Sequence, residues 1–161
     1  MRQINFNSRI LIFVDDPRWT VSNINEVRKV INACGFKKKS FCVKMSNDKY
    51  IRKLNFQWRG INKATNVLSF PNNKKLILKE EDCYLGDIVL GYETINKESN
   101  EQHLPINKHL SHILIHGILH LEGYKHNDKN EENLMQKEEI RILKKLNISN
   151  PYHLENKHYL E

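Results

Sequence analysis

The sequence lacks any long apolar stretch. Near its start, the only apolar run spans residues 10–14, which is too short for the hydrophobic core of a signal peptide. No segment approaches the roughly 20 apolar residues that a membrane-spanning helix needs. We therefore expect a soluble, cytoplasmic protein that is not anchored to a membrane.

Cysteine is also scarce. Cys34, Cys42 and Cys83 are odd in number and form no Cys-x-x-Cys pair, so their spacing does not indicate a disulfide framework. Reduced thiols in a reducing compartment are the expected state.

The length and the charge limit the possible architectures and partners. A chain of 161 residues can bury enough apolar surface to fold as one domain without staples. We predict a single domain over residues 1–161, with a polar tail from about residue 148. Lys and Arg outnumber Asp and Glu by 26 to 19, for a net charge of +7. This excess fits either a polyanionic partner or a lysine-rich solvated surface.

Hydrophobic periodicity predicts an alternation of strands and helices. Apolar runs predict strands at 9–14, 41–45, 67–70 and 88–90, with the second half-exposed and nearer an edge of the sheet. Helical spacing and capping residues predict helices over about 23–34, 46–59, from 93 onward, 106–122 and 131–146. Residues 72–82 are predicted to be a loop with a brief extended piece at 76–78.

Capping residues and apolar faces add detail to these helices. Asn23 is the predicted N-cap of the first helix, with Glu26 completing a capping box, and Ser46 is the predicted cap of the second. The second helix is expected to turn Ile51, Leu54 and Trp58 inward. The last helix is expected to turn inward Met135, Ile142 and Leu146.

A histidine motif closes the long helix. His116 and His120 are four residues apart, so their rings project from one helical face with Cβ atoms about 5 to 6 Å apart. Gly123 permits a chain reversal, after which His126 can supply a third nitrogen. Three imidazoles suit zinc or another late first-row divalent ion and leave a position open, as catalytic sites do.

The other five histidines of the chain are not predicted to bind the metal. Two histidines four residues apart can occur by chance in a chain that contains eight histidines. The third histidine, His126, follows the chain reversal at Gly123, and its position there favours a metal site. His112, one turn earlier on the same face, is predicted to be structural or to support the ligands. The remaining four are predicted to lie at the surface: His103, His109, His153 and His158.

Three blocks of the sequence resemble the YbeY family of bacterial endoribonucleases, the rRNA maturation factors. Residues 116–126 match the family's His-Gly-x-Leu-His-Leu-x-Gly-Tyr-Asp-His signature at every fixed position except 125, and two further blocks match at 54–71 and 85–89 in the same order. The resemblance implies that His116, His120 and His126 bind the metal and that Arg59 is functionally important. It also implies a zinc-dependent endoribonuclease that prefers single-stranded RNA and acts in rRNA maturation and ribosome quality control.

The fold expected from the sequence and the resemblance is α/β of the α+β type. We predict a single domain with an about four-stranded mixed sheet, about five helices and a zincin-like three-histidine site at the end of a long helix. The expected partners are rRNA and the small ribosomal subunit, and no oligomeric state is predicted. The basic segments 37–39 and 74–75 are candidate RNA contacts.

One position departs from the family pattern. Lys125 stands where the family usually has an aspartate before its third histidine, so a carboxylate that can orient a ligand is replaced by a cation. Three nearby acidic residues are candidates for that role, and the sequence does not decide between them: Glu122, Asp128 and Glu131.

The mechanistic hypothesis assigns catalytic roles to Arg59 and His116. Arg59 would grip the scissile phosphate through its guanidinium fork, while an ion held by the histidines activates water or stabilises charge on phosphorus. A structural ion-pair role for Arg59 stays open. Asp87 is a weaker candidate, either as an acceptor that supports the site or as a residue that begins a strand.

Two other functions are considered. The spacing of the three histidines and Gly123 also occurs in metzincin metalloproteases, but Gly117 stands where those proteases place the glutamate general base. The second alternative is a ribosome-associated RNA-binding protein in which a metal only stabilises the fold. Loss of cleavage without loss of folding on histidine substitution would separate an enzyme from such a protein.

Overall fold

The described residues form a five-stranded mixed sheet and five α-helices. The structure, a computed structural model, describes residues 1–36, 39–72 and 83–153. Its strands are β1 (Arg2–Asn5), β2 (Ile10–Val14), β3 (Lys39–Ser46), β4 (Val67–Pro71) and β5 (Cys83–Gly91). Its helices are α1 (Val21–Cys34), α2 (Asp48–Arg59), α3 (Tyr92–Glu101), α4 (Ile106–Leu121) and α5 (Lys129–Lys145), followed by a 3-10 turn at Pro151–His153.

The sheet has parallel pairs at its centre and antiparallel pairs at its edges. Its strand order is β1-β2-β3-β5-β4, and β3 runs parallel to both β2 and β5. Strands β1 and β4 pair antiparallel with β2 and β5. Within the described residues, the predicted α+β class with about five helices is confirmed, and β1 is added to the about four strands expected. Periodicity does not reveal β1 because three of its four residues are exposed.

The edge position predicted for the 41–45 strand is wrong, because β3 lies in the middle of the sheet. Its apolar residues Phe41, Val43 and Met45 are buried in the main core. The alternate residues Cys42 and Lys44 line a groove on the other face. Because one face of β3 borders this groove, apolar and more polar residues alternate along the strand, as they do in a half-exposed edge strand.

Two helix caps differ from the prediction. The N-cap of α1 is Thr20, whose hydroxyl accepts from the Asn23 backbone while the Asn23 side chain accepts from the Thr20 backbone. Asn23 is therefore the inner member of the capping box. The N-cap of α2 is Asn47, one residue after the predicted Ser46. The two helices end at the predicted residues 34 and 59, each followed by a glycine, Gly35 or Gly60, in the left-handed conformation.

Helix α4 runs through the main core. Twelve of its sixteen residues are buried, and it packs against β4, β5, α1, α3 and α5. The surface position predicted for His109 is wrong, because its side chain is 1% exposed and its Nε2 lies 2.5 Å from Oε2 of Glu98. Packing on all sides fixes the position of the helix end that carries His116 and His120.

Helix α2 lies on a second, smaller core cluster, where Ile51 packs with Leu68 and Val89. The inward orientation predicted for Trp58 is wrong, because this residue is 66% exposed. Its indole contacts Phe70 at the border of the cluster instead of entering it.

The segment after α5 is tied to the core. Ile148 packs against the main core, Pro151 is buried, and the Tyr152 hydroxyl donates to Glu139. The tail predicted to begin near residue 148 therefore contributes contacts up to Tyr152. Residues 154–161 lie outside the described residues, as do the predicted extended piece at 76–78 and most of its loop.

None of the described helices combines the length and the apolar character that crossing a bilayer requires. The three cysteines are free thiols, with Cys34 and Cys42 partly buried and Cys83 exposed.

Candidate metal centre

Three histidine side chains converge at the C-terminal end of α4. One ring nitrogen from each of His116, His120 and His126 lies within 4.8 Å of the other two. The Nε2 atoms of His116 and His120 are 3.0 Å apart. Two nitrogens that bind one zinc ion at about 2.0–2.1 Å lie roughly 3.3 Å apart, so the spacing fits a shared ion.

Helical periodicity and one chain reversal bring the rings together. His116 and His120 lie one turn apart on the same face of α4. The helix ends at Leu121, and Gly123 has a φ of 100°, in the region that favours glycine. The reversal at this glycine returns the chain so that His126 stacks against His116, with ring centroids 5.5 Å apart.

Hydrogen bonds fix the tautomers of two rings. Nδ1 of His116 lies 2.6 Å from Oε1 of Glu139, and Nδ1 of His120 lies 3.0 Å from the carbonyl oxygen of Tyr124. Because a carboxylate and a carbonyl only accept, we assign the proton of each neutral ring to Nδ1 and the lone pair to Nε2. The two lone pairs then face each other, an arrangement that a cation between them stabilises. The donor set therefore fits a divalent ion.

Glu139 on α5 supports His116 from inside the core. Its side chain is 1% exposed. Oε1 accepts from His116, while Oε2 accepts from the Tyr152 hydroxyl and lies 3.3 Å from Nε2 of His112. His112 thus occupies the supporting position that the sequence suggested. A carboxylate behind a ligand histidine holds its orientation and raises its basicity.

Burial and hydrogen bonding act in opposite directions on the pKa of Glu139. Burial raises it, but the hydrogen bonds from His112 and His116 outweigh burial and lower the pKa to about 2. Burial lowers the pKa of His112. Glu139 is therefore ionised at neutral pH and acts only as an acceptor.

Sequence reasoning missed Glu139, although a signal was present. Glu139 follows Met135 by four residues and precedes Ile142 by three, so it lies on the apolar face of its helix. A glutamate is rarely fully buried without a partner. Its position on that face indicated a polar partner inside the core.

The three carboxylates proposed from the sequence have other roles. Glu122 pairs with a lysine of β3 at 3.3 Å. Asp128 is the N-cap of α5, where it accepts from the Glu131 backbone, and the Glu131 carboxylate accepts from the Asn127 backbone. Lys125 itself is exposed. The described contacts therefore assign the supporting carboxylate to α5.

The histidines open onto a groove of about 1010 Å³ that Arg59, the last residue of α2, also lines. His116 is buried, whereas the other two rings are partly accessible. Asp87 lines the same groove from β5 and accepts a hydrogen bond from the Tyr84 hydroxyl. The groove is thus lined by Arg59 and Asp87 together with the three histidines.

Gly117 faces the edge strand β4, which crowds the position that a side chain would occupy. A Cβ atom at this position would lie 3.1 Å from both Ser69 Oγ and Val67 Cγ2. The Ser69 hydroxyl also donates to the Gly117 carbonyl at 3.0 Å. A glutamate here would have to push the side chains of Ser69 and Val67 aside, which argues against the metalloprotease alternative.

Most of the two basic segments proposed to contact RNA lies outside the described residues. Of these lysines, only Lys39 is described, and its ammonium group pairs with Glu122.

Comparisons with known proteins agree with the motifs. A family model described as endoribonuclease YbeY matches residues 15–147. Endoribonuclease YbeY of Bartonella henselae is 42% identical over 107 residues, which cover 66% of this chain and 68% of that protein. The Ehrlichia chaffeensis protein of the same name is 44% identical over 115 residues, covering 71% and 72%. A Thermotoga maritima protein with a solution structure shares 28% sequence identity with this chain. The two structures align with a TM-score of 0.50, over 93% of this chain and 97% of that one.

Proposed function

Because the chain belongs to the endoribonuclease YbeY family, we propose that it is a metal-dependent endoribonuclease that cleaves single-stranded RNA. The family supplies the nuclease class and RNA as the substrate. The observation that carries the rest is the convergence of three histidine nitrogens on a groove that also contains an arginine.

The proposed ligands of the ion are His116, His120 and His126. Zinc is the proposed metal, because three imidazoles suit it and leave coordination positions for water or substrate. When bound, such an ion supplies Lewis acidity toward a phosphoryl oxygen or lowers the pKa of water. The facing Nε2 atoms of His116 and His120 support this assignment.

His116 is proposed to be a catalytic residue as well as a ligand. Its Nδ1–H donates to Glu139 at 2.6 Å, which directs Nε2 toward the space shared with His120. The buried carboxylate of Glu139 keeps the His116 ring in one orientation. It also raises the basicity of the ring, which makes Nε2 a stronger metal ligand. His116 therefore anchors the ligand set, while its more accessible partners border the groove.

Arg59 is proposed to hold the scissile phosphate. A guanidinium group offers parallel N–H donors to two phosphate oxygens. These contacts strengthen when negative charge accumulates on the phosphate in the transition state. The position of Arg59 on the groove of the histidines supports this role.

The proposed cellular role is rRNA maturation and ribosome quality control in the cytoplasm, on the small ribosomal subunit. Family membership and the net charge of +7 support a ribonucleic acid partner. The catalytic unit is proposed to be one domain over residues 1–161, with the basic segments 37–39 and 74–75 in contact with RNA. We expect binding to weaken steeply as salt is added, and an affinity that hardly responds to salt would contradict these contacts.

Cleavage of single-stranded and duplex RNA, with and without a chelator, tests the activity. We expect cleavage of the single strand, its loss on chelation and its recovery with zinc, with discrete ends on sequencing of the products. Single substitutions of His116, His120 or His126 by alanine should abolish cleavage in folded protein. His103→Ala, at an exposed histidine outside the cluster, should not. Undiminished cleavage by all three cluster variants would overturn the proposed metal site.

Two further comparisons test the role of Arg59 and distinguish a catalytic metal from a structural one. Arg59→Ala and Arg59→Lys should lower kcat by about 10²-fold or more. Arg52→Ala changes the same helix at a residue that binds Asn62 and does not line the groove, so it should leave kcat unchanged. Unfolding on chelation, together with cleavage that survives histidine substitution, would instead indicate a structural metal.

A further inference from the structure

Trp58 exposes most of its side chain. Its exposed fraction is 66%, whereas the other tryptophan, Trp19, is 3% exposed and donates its indole N–H to the Ser46 carbonyl. Burying a tryptophan stabilises a fold, because the side chain covers 150–250 Å². The fold therefore lacks the stabilisation that burying Trp58 would provide.

The exposed indole lies on the groove of the histidines. Trp58 and Phe70 both line that groove, and their ring centroids are 6.3 Å apart with an interplanar angle of 62°. This contact leaves two thirds of the Trp58 surface accessible.

Strand β4 fixes the Trp58–Phe70 pair relative to the candidate metal centre. Phe70 follows Ser69, whose hydroxyl donates to the Gly117 carbonyl at 3.0 Å, and Gly117 is the neighbour of His116. Phe70 also packs against the small core cluster beneath α2. A direct contact between β4 and α4 therefore links the aromatic pair to the helix that carries His116 and His120.

Cationic side chains border the aromatic surface. Arg59 follows Trp58 directly, so their Cα atoms are about 3.8 Å apart. Lys44 lines the same groove, with its ammonium group 3.8 Å from the centre of the Tyr50 ring and 3.7 Å from Oδ2 of Asp15. Aromatic rings beside cations in one groove form the surface on which proteins stack unpaired bases while holding the backbone.

We propose that Trp58 and Phe70 form a stacking subsite for one unpaired base of the RNA, an inference that rests on the proposed ribonuclease function. The adjacency of Trp58 and Arg59 assigns this base to the nucleotide that carries the phosphate at Arg59, or to its immediate neighbour. A base paired in a duplex cannot present its face to a side chain. The subsite therefore supplies a physical reason for a preference for single strands.

Tryptophan fluorescence tests this subsite without cleavage. The probe is a short 2′-O-methyl oligoribonucleotide, added to chelated protein whose circular dichroism matches that of the zinc-loaded protein, and compared with an abasic oligomer of equal length and charge. We expect the oligonucleotide to quench indole emission in the wild-type protein and not in Trp58→Phe, which retains only the buried Trp19. The abasic oligomer should not quench either protein.

Affinity for the same oligonucleotide provides the second measurement. Trp58→Ala should weaken binding by about 5- to 150-fold, the factor that corresponds to stacking of one base, and Trp58→Tyr should restore most of it. Phe56→Ala is the matched control, because Phe56 is 60% exposed on the same helix and does not line the groove. It should bind like the wild type.

Equal affinity for the abasic oligomer, or equal binding by Trp58→Ala and Phe56→Ala, would overturn the subsite. His116→Ala separates this result from the proposed function. If base-dependent quenching persists in that variant, the subsite stands whether or not the metal site does. If neither the oligonucleotide nor the abasic oligomer binds, both the proposed function and the subsite fail.

Discussion

The Nδ1 atom of His116 lies 2.6 Å from Oε1 of Glu139, across an interface between α4 and α5 in which both side chains are almost fully buried. The ionised carboxylate fixes the proton on Nδ1 and so leaves Nε2 free of a proton for a ligand. The same carboxylate accepts from Tyr152. The orientation of a candidate ligand on one helix is thus determined by a residue on another.

Glu139→Gln should weaken metal binding. The amide retains the shape of the carboxylate but removes its charge and replaces one acceptor oxygen with a donor, so His116 becomes less basic and less firmly oriented. We expect about 10- to 100-fold lower affinity for zinc, measured by competition with a chromophoric chelator. Glu138→Gln is the control, because Glu138 pairs with Arg141 near the surface of the same helix. Equal affinities for the two variants would contradict this role.

Tyr152→Phe should destabilise the protein by about 1 kcal/mol. The substitution removes the hydroxyl that donates to Glu139 and lies 3.2 Å from Nε2 of His112. Urea unfolding measures the change in the free energy of unfolding. Tyr84→Phe removes a hydroxyl that donates to the exposed Asp87, and its effect should be smaller. A larger loss for Tyr84→Phe would show that the C-terminal segment does not support the core.

Gly117→Ala should destabilise the protein, although alanine is favoured over glycine by about 1 kcal/mol in a helix interior. The new methyl group would lie 3.1 Å from Ser69 Oγ and Val67 Cγ2. Neither atom can withdraw easily, since Ser69 donates to the Gly117 carbonyl and Val67 is buried. We expect a loss of about 1–3 kcal/mol.

Thermal or urea unfolding of Gly117→Ala, beside Lys108→Ala at an exposed position of α4, gives the sign of this effect. A gain in stability for Gly117→Ala would show that α4 and β4 are less closely packed than described. Gly117→Glu should not hydrolyse peptides, because side chains of β4 crowd the position from which the glutamate would extend.

Thiol labelling should distinguish the three cysteines. Burial raises the pKa of Cys34 to about 12 and that of Cys42 to about 11. Since the thiolate is the reactive form, both should react slowly near neutral pH and faster as pH approaches these values. Cys83 is exposed and should supply the fast phase. Cys83→Ser should remove that phase, and fast labelling that survives this substitution would contradict the burial of the other two.

Local sequence signals were sufficient for the elements that carry the histidines. Pro105 and Gly123 bracket α4 closely, because caps and chain reversals depend on a few neighbouring residues. The spacing of the three histidines likewise predicted their convergence.

Features that depend on residues distant in sequence could not be predicted in the same way. Glu139 lies 23 residues from His116 along the chain, and no local pattern specifies which histidine it contacts. Helical spacing placed Trp58 on the inward face, but exposure depends on what lies opposite, and there the neighbouring structure is a groove. Local preference and observed position disagree at this residue, as is common where a surface serves binding.

Metal stoichiometry tests the central claim most directly. Native mass spectrometry of the protein, loaded with zinc and freed of excess, should show one ion per chain. Each single variant, His116→Ala, His120→Ala and His126→Ala, should lose the ion while circular dichroism shows the wild-type fold, and His103→Ala should retain it. Retention of the ion by all three variants, or no ion in the wild-type protein, would contradict a metal site built from these histidines.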